Sequence, residues 1–355
     1  MRWKFWRKPK PKPPVALTGE DYEKLRLILE IVNPQSQPNL NHLNEVVRDI
    51  RMLTLNIKNF GYDLSRQLAA ALPPQGDTVA RHVGLKTSLS TQADIESDWV
   101  RHWCSEMKVP VVFHRKLWEL SYLLQALHEN GLIQPGKKGL GFGSGNEPLA
   151  SYLASKGAAS TVTDLPAEDA QAKGWADTDQ HASSLENAFH GHLVDRATFA
   201  RRVDFRAVDM NAIPDDLTGY DFCWSVCAFE HLGTIEKGLA FLERALDTLK
   251  PGGIAVHTTE FNIEDGPTFD NWPTVFYQRK HFEALAERLH AKGHKLAEID
   301  LDPGNKILDR FIDLPPWDYN EGPALDSWLK DSLHLKVGVN GLITTCAGLI
   351  ITKAG

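Results

Sequence analysis

The sequence predicts an α/β fold built on a mostly parallel β-sheet, preceded by a helical extension. From residue 94 onwards, short apolar runs alternate with amphipathic runs, and this alternation indicates consecutive βαβ units. Four glycines within residues 139–145 lie where the first apolar run meets an amphipathic one. Near the end of the chain, two β-type runs flank Asn340–Gly341, a pair typical of a two-residue hairpin turn.

The front of the chain is predicted to be helical. Residues 19–32 and 39–72 both carry helical patterns, and apolar residues of the second recur every seven positions, as in a coiled coil. This seam either joins two chains or packs within one. A polar linker runs to residue 92, so we expect a helical region at 19–92 and the α/β domain at 93–355. The residues of the seam are Leu43, Val46, Ile50, Leu53, Ile57, Phe60 and Leu64.

Within the α/β domain, two helices at 94–107 and 115–130 precede the first strand, and Asn130–Gly131 is a helix stop signal. The hairpin around Asn340–Gly341 should close the sheet with an antiparallel strand. The predicted strands are 138–142, 159–163, 202–207, 220–226 and 252–259, and the main helices between them are 146–157, 233–249 and 279–292.

Charge is unevenly distributed along the 355 residues. Residues 1–12 hold six Lys/Arg and no acid, whereas the remainder holds 33 basic and 46 acidic residues. A body this acidic argues against a nucleic-acid partner. The basic segment interleaves Trp3, Phe5 and Trp6 with its cations. Residues 1–18 are therefore either a flexible solvated tail or a weak, reversible contact with an anionic membrane surface.

Four scattered cysteines show no zinc-ligand spacing, and Cys223 and Cys227 lie in an apolar run where buried, reduced thiols are expected. This usage indicates the cytoplasm, with a peripheral location at the inner membrane face if the basic tail binds lipid. No apolar run is long enough to span a bilayer, and the N-terminus lacks the apolar segment of a signal peptide. The sequence predicts no metal site.

The glycine cluster predicts a ligand-binding turn. Gly141, Gly143 and Gly145 alternate around Phe142 and Ser144, and glycine there permits a positive φ and close approach of a ligand to the backbone. The helix that follows offers unpaired N–H groups to an anionic group. A dinucleotide fingerprint would require glycine at position 146, which is asparagine here. The spacing therefore disfavours a dehydrogenase.

Two acidic residues follow the next predicted strands. Asp164, with Leu165 after it, ends the second strand, where a carboxylate can accept hydrogen bonds from both ribose hydroxyls of a nucleoside. Asp209 and Met210 follow the third strand. An aspartate there can accept an adenine amino hydrogen, and the next backbone N–H can reach a ring nitrogen.

The ordered set of glycine loop, strand-end Asp164, "DM", "FEHL" and "LKPGG" resembles the class I S-adenosylmethionine-dependent methyltransferases over residues 137–260. The resemblance implies a Rossmann-like seven-stranded sheet of order 3-2-1-4-5-7-6, with strand 7 antiparallel, and S-adenosylmethionine as cofactor. Many members carry an acid two residues before the first glycine, where this chain has Gly139, and Glu147 is the candidate to replace it. The implied cofactor-binding residues are Gly141, Phe142, Gly143, Gly145, Glu147, Asp164, Leu165, Asp209, Met210 and Ser225.

Methyl transfer to a hydroxyl requires a group that removes the hydroxyl proton. His231, next to Glu230 after the fourth strand, is the first candidate, although it could instead cap the helix that follows. His257 and Glu260, at the end of the fifth strand, are the second. Further candidates for the cofactor or acceptor are the front-helix residues His114, Arg115 and Trp118, the inserted residues Trp175, Gln180 and His181, and residues 313–317 with Asn262.

A narrower resemblance, over about residues 95–353, is to bacterial methyltransferases associated with surface-polysaccharide and glycosyltransferase pathways. It implies that the acceptor is a sugar hydroxyl on a glycan or a lipid-linked saccharide. Two alternatives stay open. One is a methyltransferase for a small molecule or a protein, with the front helices used for homo-oligomerisation. The other is a non-catalytic nucleoside-binding scaffold for glycan assembly.

Overall fold

The computed structural model describes residues 18–22, 40–144, 146–166, 184–271, 273–315 and 333–355. Several predictions from the sequence lie outside these residues: the tail 1–12, most of helix 19–32, the inserted residues Trp175, Gln180 and His181, the loop residue Gly145, and Pro316–Trp317. The chain divides into two compact units, residues 1–57 and 58–355. Among the described helices, none combines the length and apolar character needed to cross a bilayer.

The described part of the first unit is helical. Residues 19–22 begin a helix at Thr18, whose Oγ1 accepts a hydrogen bond from the Asp21 backbone N–H at 3.3 Å. Residues 40–57 open the long helix α1 (Leu40–Ala71). Along it, Ile50, Leu53 and Ile57 are more than half exposed. The predicted seam is thus open to solvent at these positions, and its use for homo-oligomerisation stays a prediction.

The second unit begins within α1, at Lys58. Lys58 is buried and places its Nζ 2.8 Å from Asp313 Oδ1, and the Tyr62 hydroxyl donates to the same carboxylate at 3.1 Å. The His334 Nδ1 lies 2.9 Å from Asp313 Oδ2. A buried polar network therefore anchors the C-terminal half of α1 within the large unit. Nothing in the local sequence around residues 58–62 predicts this network.

The large unit alternates helices and strands, and side-chain caps set several helix starts. Ser97 and Thr234, for example, accept hydrogen bonds from the backbone N–H three residues later. After α1, the described helices are α2 (Gln92–Ile95), α3 (Asp98–Met107), α4 (Arg115–Glu129), α5 (Leu149–Ser155), α6 (Arg196–Arg202), α7 (Ile235–Ala245) and α8 (Arg279–Ala291). The described strands are β1 (Thr87–Leu89), β2 (Phe113–His114), β3 (Lys138–Gly141), β4 (Ala159–Asp164), β5 (Val203–Ala207), β6 (Tyr220–Val226), β7 (Leu249–Asn262), β8 (Lys295–Leu296), β9 (Ile299–Asp300), β10 (Ile312–Asp313), β11 (Leu333–His334), β12 (Lys336–Val339) and β13 (Leu342–Thr352).

The main sheet is mixed, with the order β10-β12-β13-β7-β6-β3-β4-β5. Strands β3 to β7 pair in parallel, whereas β13 is antiparallel to β7. The hairpin prediction is confirmed: β12 and β13 pair through Val339 and Leu342, and both Asn340 and Gly341 have positive φ.

The predicted number of seven strands is wrong, because eleven strands belong to this sheet in the described part of the chain. The long strand β13 also pairs with β1 and β8, and β9 and β10 extend the sheet beyond β1 and β12. These additional strands are only two or three residues long. Segments this short carry no recognisable alternation of apolar and polar residues, and their pairing depends on β13 lying beside them.

Candidate active site

A cavity of about 420 Å³ opens beyond the carboxyl ends of β3, β4, β5 and β6. Ligands of open α/β sheets bind at this edge, and the volume lies in the range of small-molecule sites. The described residues that line the cavity are Lys116, Leu120, Gly143, Asn146, Glu147, Pro148, Asp164, Leu165, Val208, Asp209, Met210, Asn211, Val226, Cys227, Ala228, His231 and Leu232.

Gly143 is the described loop glycine that faces this cavity. Its φ is +55°, and a Cβ atom there would lie 2.9 Å from the Ala228 Cβ and 3.4 Å from the Met210 Sδ. Gly141 has a different reason to be glycine, because a Cβ atom would overlap Ser144 Oγ and the Trp224 ring. Phe142 is fully buried, with its ring edge-on to Phe241. The structure therefore brings Gly143, but not Gly141 or Phe142, to the cavity wall.

Replacing Gly143 by alanine should weaken ligand binding in the cavity and lower the free energy of unfolding by about 1–2 kcal/mol. Left-handed backbone costs that much for a residue with a Cβ, and the added methyl group would press on Ala228. Chemical denaturation and ligand titration measure the two effects. Gly76→Ala is the matched control, because its Cβ would meet nothing within 4 Å, and it should change stability by less than about 0.5 kcal/mol. Equal behaviour of the two variants would contradict this expectation.

Asp164 and Asp209 line the same cavity from neighbouring strand ends. Asp164 is 9% exposed, and its Oδ1 accepts a hydrogen bond from the Leu165 backbone N–H at 2.8 Å. The Val208 N–H donates to the Asp164 carbonyl oxygen at 2.8 Å, which ties the end of β4 to the segment after β5. The Asp209 carboxylate accepts from the Asn211 backbone N–H at 2.9 Å and so shapes the turn that presents Met210.

Glu147 contributes a carboxyl group to the cavity wall. Trp224 Nε1 donates to its Oε2 at 3.4 Å. Burial raises the pKa of Glu147 well above its ordinary value, which favours the neutral form. A cationic ligand group bound beside it would favour the ionised form and lower that pKa again.

His231 lines the cavity from the 3₁₀ turn Phe229–His231. Its Nδ1 lies 3.0 Å from the Pro273 carbonyl oxygen, which can only accept, so Nδ1 carries the hydrogen and Nε2 the lone pair. Desolvation by burial lowers the pKa of His231 below its ordinary value, against a smaller opposing effect of the Pro273 hydrogen bond. The ring is therefore neutral at pH 7, as a proton acceptor must be.

Glu230 and Glu260 lie beside the cavity but not on its wall. Glu230 is fully buried; its Oε2 accepts from Thr259 Oγ1 at 3.1 Å, and its Oε1 has no hydrogen-bond partner among the described residues. Burial, followed by the charge of Glu260, raises the pKa of Glu230 to about 8. Glu260 forms an ion pair with Arg115, so the arginine predicted to grip an anion is neutralised within the protein.

His257 and Ser225 are not brought to the cavity. They are paired across β7 and β6, and the Ser225 Oγ lies 2.7 Å from His257 Nδ1. The edge of the His257 ring faces Phe229 and Phe241, and complete burial lowers its pKa to about 3. A catalytic role for His257 and cofactor contact by Ser225 stay predictions, which this buried location does not support.

The remaining candidates from the front helix have structural partners. His114 caps α4 by accepting a hydrogen bond from the Lys116 backbone N–H at 3.0 Å, and the buried Trp118 donates to Asp94 at 2.8 Å. Asn262, after β7, accepts a hydrogen bond from the Glu264 N–H and donates one to the Pro267 carbonyl oxygen.

Sequence reasoning missed Lys116, which lines the cavity and is adjacent in sequence to the predicted Arg115. A helix-period count could have separated the two, since adjacent residues point about 100° apart.

The sequence predicts a buried, reduced thiol at Cys227; the thiol is free, but it is only partly buried and lines the cavity. It follows β6 with a φ of +45°, a conformation that non-glycine residues rarely adopt outside functional or tightly constrained sites. Its Sγ lies 3.4 Å from the Sγ of Cys346 on β13. The two cysteines are far apart in sequence, so their spacing carried no signal of this contact.

Proteins similar to this chain were found among solved structures. No family model matches the sequence, and no curated protein matches it. Among solved structures, a protein provisionally named sarcosine dimethylglycine methyltransferase from Galdieria sulphuraria is similar with a TM-score of 0.43 and 16% identity, over 73% of this chain and 99% of that one. The [4+2]-cyclase SpnF gives 0.42 and 18%, over 77% and 99%.

A third similar structure is magnesium protoporphyrin IX methyltransferase from Synechocystis PCC 6803 with bound SAH. Its TM-score is 0.37 at 11% identity, over 65% of this chain and 80% of that one. Similarities this low assign neither a family nor a reaction, and a cyclase stands among the methyltransferases. The residues of the site itself are therefore the evidence for the function.

Proposed function

We propose that this protein is an S-adenosylmethionine-dependent methyltransferase of the class I type. The observation that carries the proposal is the convergence of a tight glycine turn at Gly143 with the carboxylates of Asp164 and Asp209 on one cavity. In the proposed complex, Asp164 accepts hydrogen bonds from the ribose hydroxyls, and Asp209 with Met210 holds the adenine. Leu165 contributes an apolar wall beside the ribose.

The residues present fit this cofactor. Gly143 lines the cavity without a side chain, so a ligand can approach its backbone. Glu147 offers a carboxyl group to the ammonium group of the cofactor's methionine part. The nearby cation would favour the ionised carboxylate and so form a favourable pair with it. The bound sulfonium compound supplies an activated methyl group. Gly141, Phe142 and Ser225 would act behind the wall, by holding the loop and strand in place.

His231 is the residue we propose to receive the acceptor proton. It is neutral at pH 7, and its Nδ1–H···O bond to Pro273 keeps the ring oriented with the lone pair on Nε2. Glu230 and Glu260 lie close to the same turn but off the cavity wall, so a contact of either carboxyl group with acceptor hydroxyl groups would require the turn to move. Protonated Glu230 can also donate a hydrogen bond.

We further propose that the acceptor is a sugar hydroxyl of a glycan or a lipid-linked saccharide. The resemblance over residues 95–353 supports this class. In this proposal the protein works in the cytoplasm, and residues 1–12 bring it to the inner membrane face through weak contacts with anionic lipid. Paired α1 helices would join two copies.

Calorimetric titration with S-adenosylhomocysteine and, in parallel, with NAD tests the cofactor. Binding of the first alone is expected. Incubation with a methyl-labelled donor and with glycan, small-molecule and protein fractions then tests the acceptor, and label in the glycan fraction is expected. Label only in another fraction would replace the sugar proposal by the small-molecule or protein alternative. Cofactor binding without transfer to any fraction would favour the scaffold alternative.

Asp164→Ala should weaken cofactor binding by about 1–3 kcal/mol, or about 5- to 150-fold, because the ribose hydroxyls lose a charged partner in a mostly buried site. Calorimetric titration with S-adenosylhomocysteine measures the change. Asp204→Ala serves as the control, since that carboxylate is exposed on β5 outside the cavity lining and its loss should leave the affinity unchanged. An unaltered affinity of the Asp164 variant would rule out its ribose contact.

A further inference from the structure

A cluster of two thiols and a carboxylate, which the proposed reaction does not use, lies behind the cavity and reaches its wall through Cys227. Cys227 follows β6, Cys346 lies on β13, and Glu119 lies on α4. The Cys227 and Cys346 sulfurs are 3.4 Å apart, and the Cys346 thiol donates to Glu119 Oε1 at 2.9 Å. One ligand atom from each of the three side chains lies within 4.8 Å of the other two.

The backbone arrangement disfavours a disulfide as the purpose of this contact. Strand β7 runs between the two cysteines: the Cys227 N–H donates to the Thr258 carbonyl oxygen on one edge, and Cys346 pairs with Glu260 on the other. Two strand spacings separate backbones by about 9–10 Å. A disulfide requires Cα atoms about 4.4–6.8 Å apart, so oxidation would have to displace the sheet.

We propose that Cys227, Cys346 and Glu119 bind one Zn²⁺ ion. Thiolate and carboxylate ligands are those that zinc uses, and tetrahedral binding at about 2.3 Å places two sulfurs about 3.8 Å apart. The observed 3.4 Å separation needs only a small opening of the thiol pair, which side-chain rotation supplies without moving the strands. Binding deprotonates both thiols and releases their two protons to solvent.

The charges around the cluster match this assignment. Two thiolates and Glu119 would carry three negative charges, which the ion and Lys116, 3.6 Å from Glu119, neutralise. Arg115 pairs with Glu260, and its Nη1 also lies 3.9 Å from the Cys346 sulfur, where its positive charge favours the thiolate. The Thr258 hydroxyl donates to Glu119 Oε2 at 2.7 Å, which orients the carboxylate as an outer-shell partner does in zinc sites.

A second cluster shares Cys227 and uses Glu230 and Glu260 in place of Cys346 and Glu119. It offers zinc one thiolate, and one of its carboxylates is already paired with Arg115. The first cluster is the better zinc site, because thiolates bind this ion more strongly than carboxylates do. Three protein ligands leave a fourth position, and Cys227 places the ion at the cavity wall, where water or an acceptor oxygen can occupy that position.

The test is metal analysis of the full-length protein purified without chelator, together with the absorption spectrum after Co²⁺ replacement. We expect about one zinc ion per chain and a thiolate-to-cobalt charge-transfer band. Cys227→Ala, Cys346→Ala and Glu119→Gln should each weaken zinc binding by more than about 100-fold, since changes in the outer shell alone cost 10–100-fold. Cys223→Ala is the matched control, because this buried thiol lies on β6 outside the cluster, and it should retain the ion.

A wild-type protein without zinc and without the charge-transfer band would overturn the proposal. This measurement uses the wild type alone, so it does not depend on whether a variant folds. Zinc that survives Cys346→Ala but is lost in Glu230→Gln would assign the ion to the second cluster and equally overturn it. Thermal unfolding supplies an independent readout, since added zinc should raise the melting temperature of the wild type and of Cys223→Ala but not of Cys227→Ala. The site does not depend on the proposed methyl transfer, because all of these measurements omit cofactor and acceptor.

Discussion

Replacing Lys58 by methionine should lower the free energy of unfolding by about 3–5 kcal/mol. Its ammonium group is 2.8 Å from Asp313 Oδ1, and the two side chains are 2% and 0% exposed. Removal of one partner leaves the other charge buried without compensation, which is the most costly way to break an ion pair. The Tyr62 and His334 hydrogen bonds to Asp313 would offset only part of this cost.

Urea denaturation of the full-length chain measures this effect. Lys86→Met is the matched control, because Lys86 pairs with Glu298 at the surface, where both side chains are substantially exposed. Such a pair contributes less than about 1 kcal/mol. The double variant Lys58→Met with Asp313→Leu should recover much of the stability, since no buried charge remains. A loss below about 1 kcal/mol in the single variant would show that the buried pair does not anchor α1.

Turnover should fall by about 100- to 10,000-fold in His231→Ala, with cofactor affinity retained. This range is the usual contribution of a positioned general base, and the cofactor contacts proposed for Asp164 and Asp209 do not involve this ring. Transfer of labelled methyl to the acceptor identified above measures kcat, and calorimetry measures the cofactor affinity. His290→Ala, on the exposed face of α8, should match the wild type. Equal turnover in the His231 variant would remove it as the base.

The pH dependence separates His231 from Glu230 as proton acceptor. A base acts only when deprotonated, so activity falls as pH decreases through its pKa. Burial lowers the pKa of His231 below its ordinary value of 6.5, and the acid limb of kcat should then lie below pH 6.5 and disappear in His231→Ala. Glu230 would instead place this limb near pH 8, since burial raises its pKa to about 8. A limb near pH 8 that Glu230→Gln abolishes would reverse the assignment.

The part of the cavity that follows the strands could be predicted from local patterns. Gly143, Asp164 and Asp209 each come directly after a predicted parallel strand, and the carboxyl ends of such strands share one edge of the sheet. Residues at the ends of neighbouring parallel strands therefore lie close together in the fold. His231 was located by the same rule, because it follows the strand β6 by a short turn.

The direction in which each side chain points was harder to predict from the sequence. His257 and Glu260 stand three residues apart on β7, and alternation places them on opposite faces, so the histidine is buried against Phe229 and Phe241 while Glu260 pairs with Arg115. The prediction that His257 and Glu260 act together did not take account of the two-residue alternation of side chains along a strand. Gly141 shows the same limitation, because its lack of a side chain is required by Trp224 and not by a ligand.

By itself, the sequence determined the α/β pattern, the hairpin turn and the loop positions around the cavity, because these depend on residues that are near one another in the chain. Only the tertiary structure decided the four additional strands, the buried Lys58–Asp313 pair and the meeting of Cys227 and Cys346 beside Glu119. The Lys58–Asp313 pair and the contacts of Cys346 with Cys227 and Glu119 join segments separated by more than a hundred residues. No local periodicity encodes such contacts, since the packing of the whole sheet brings the partners together.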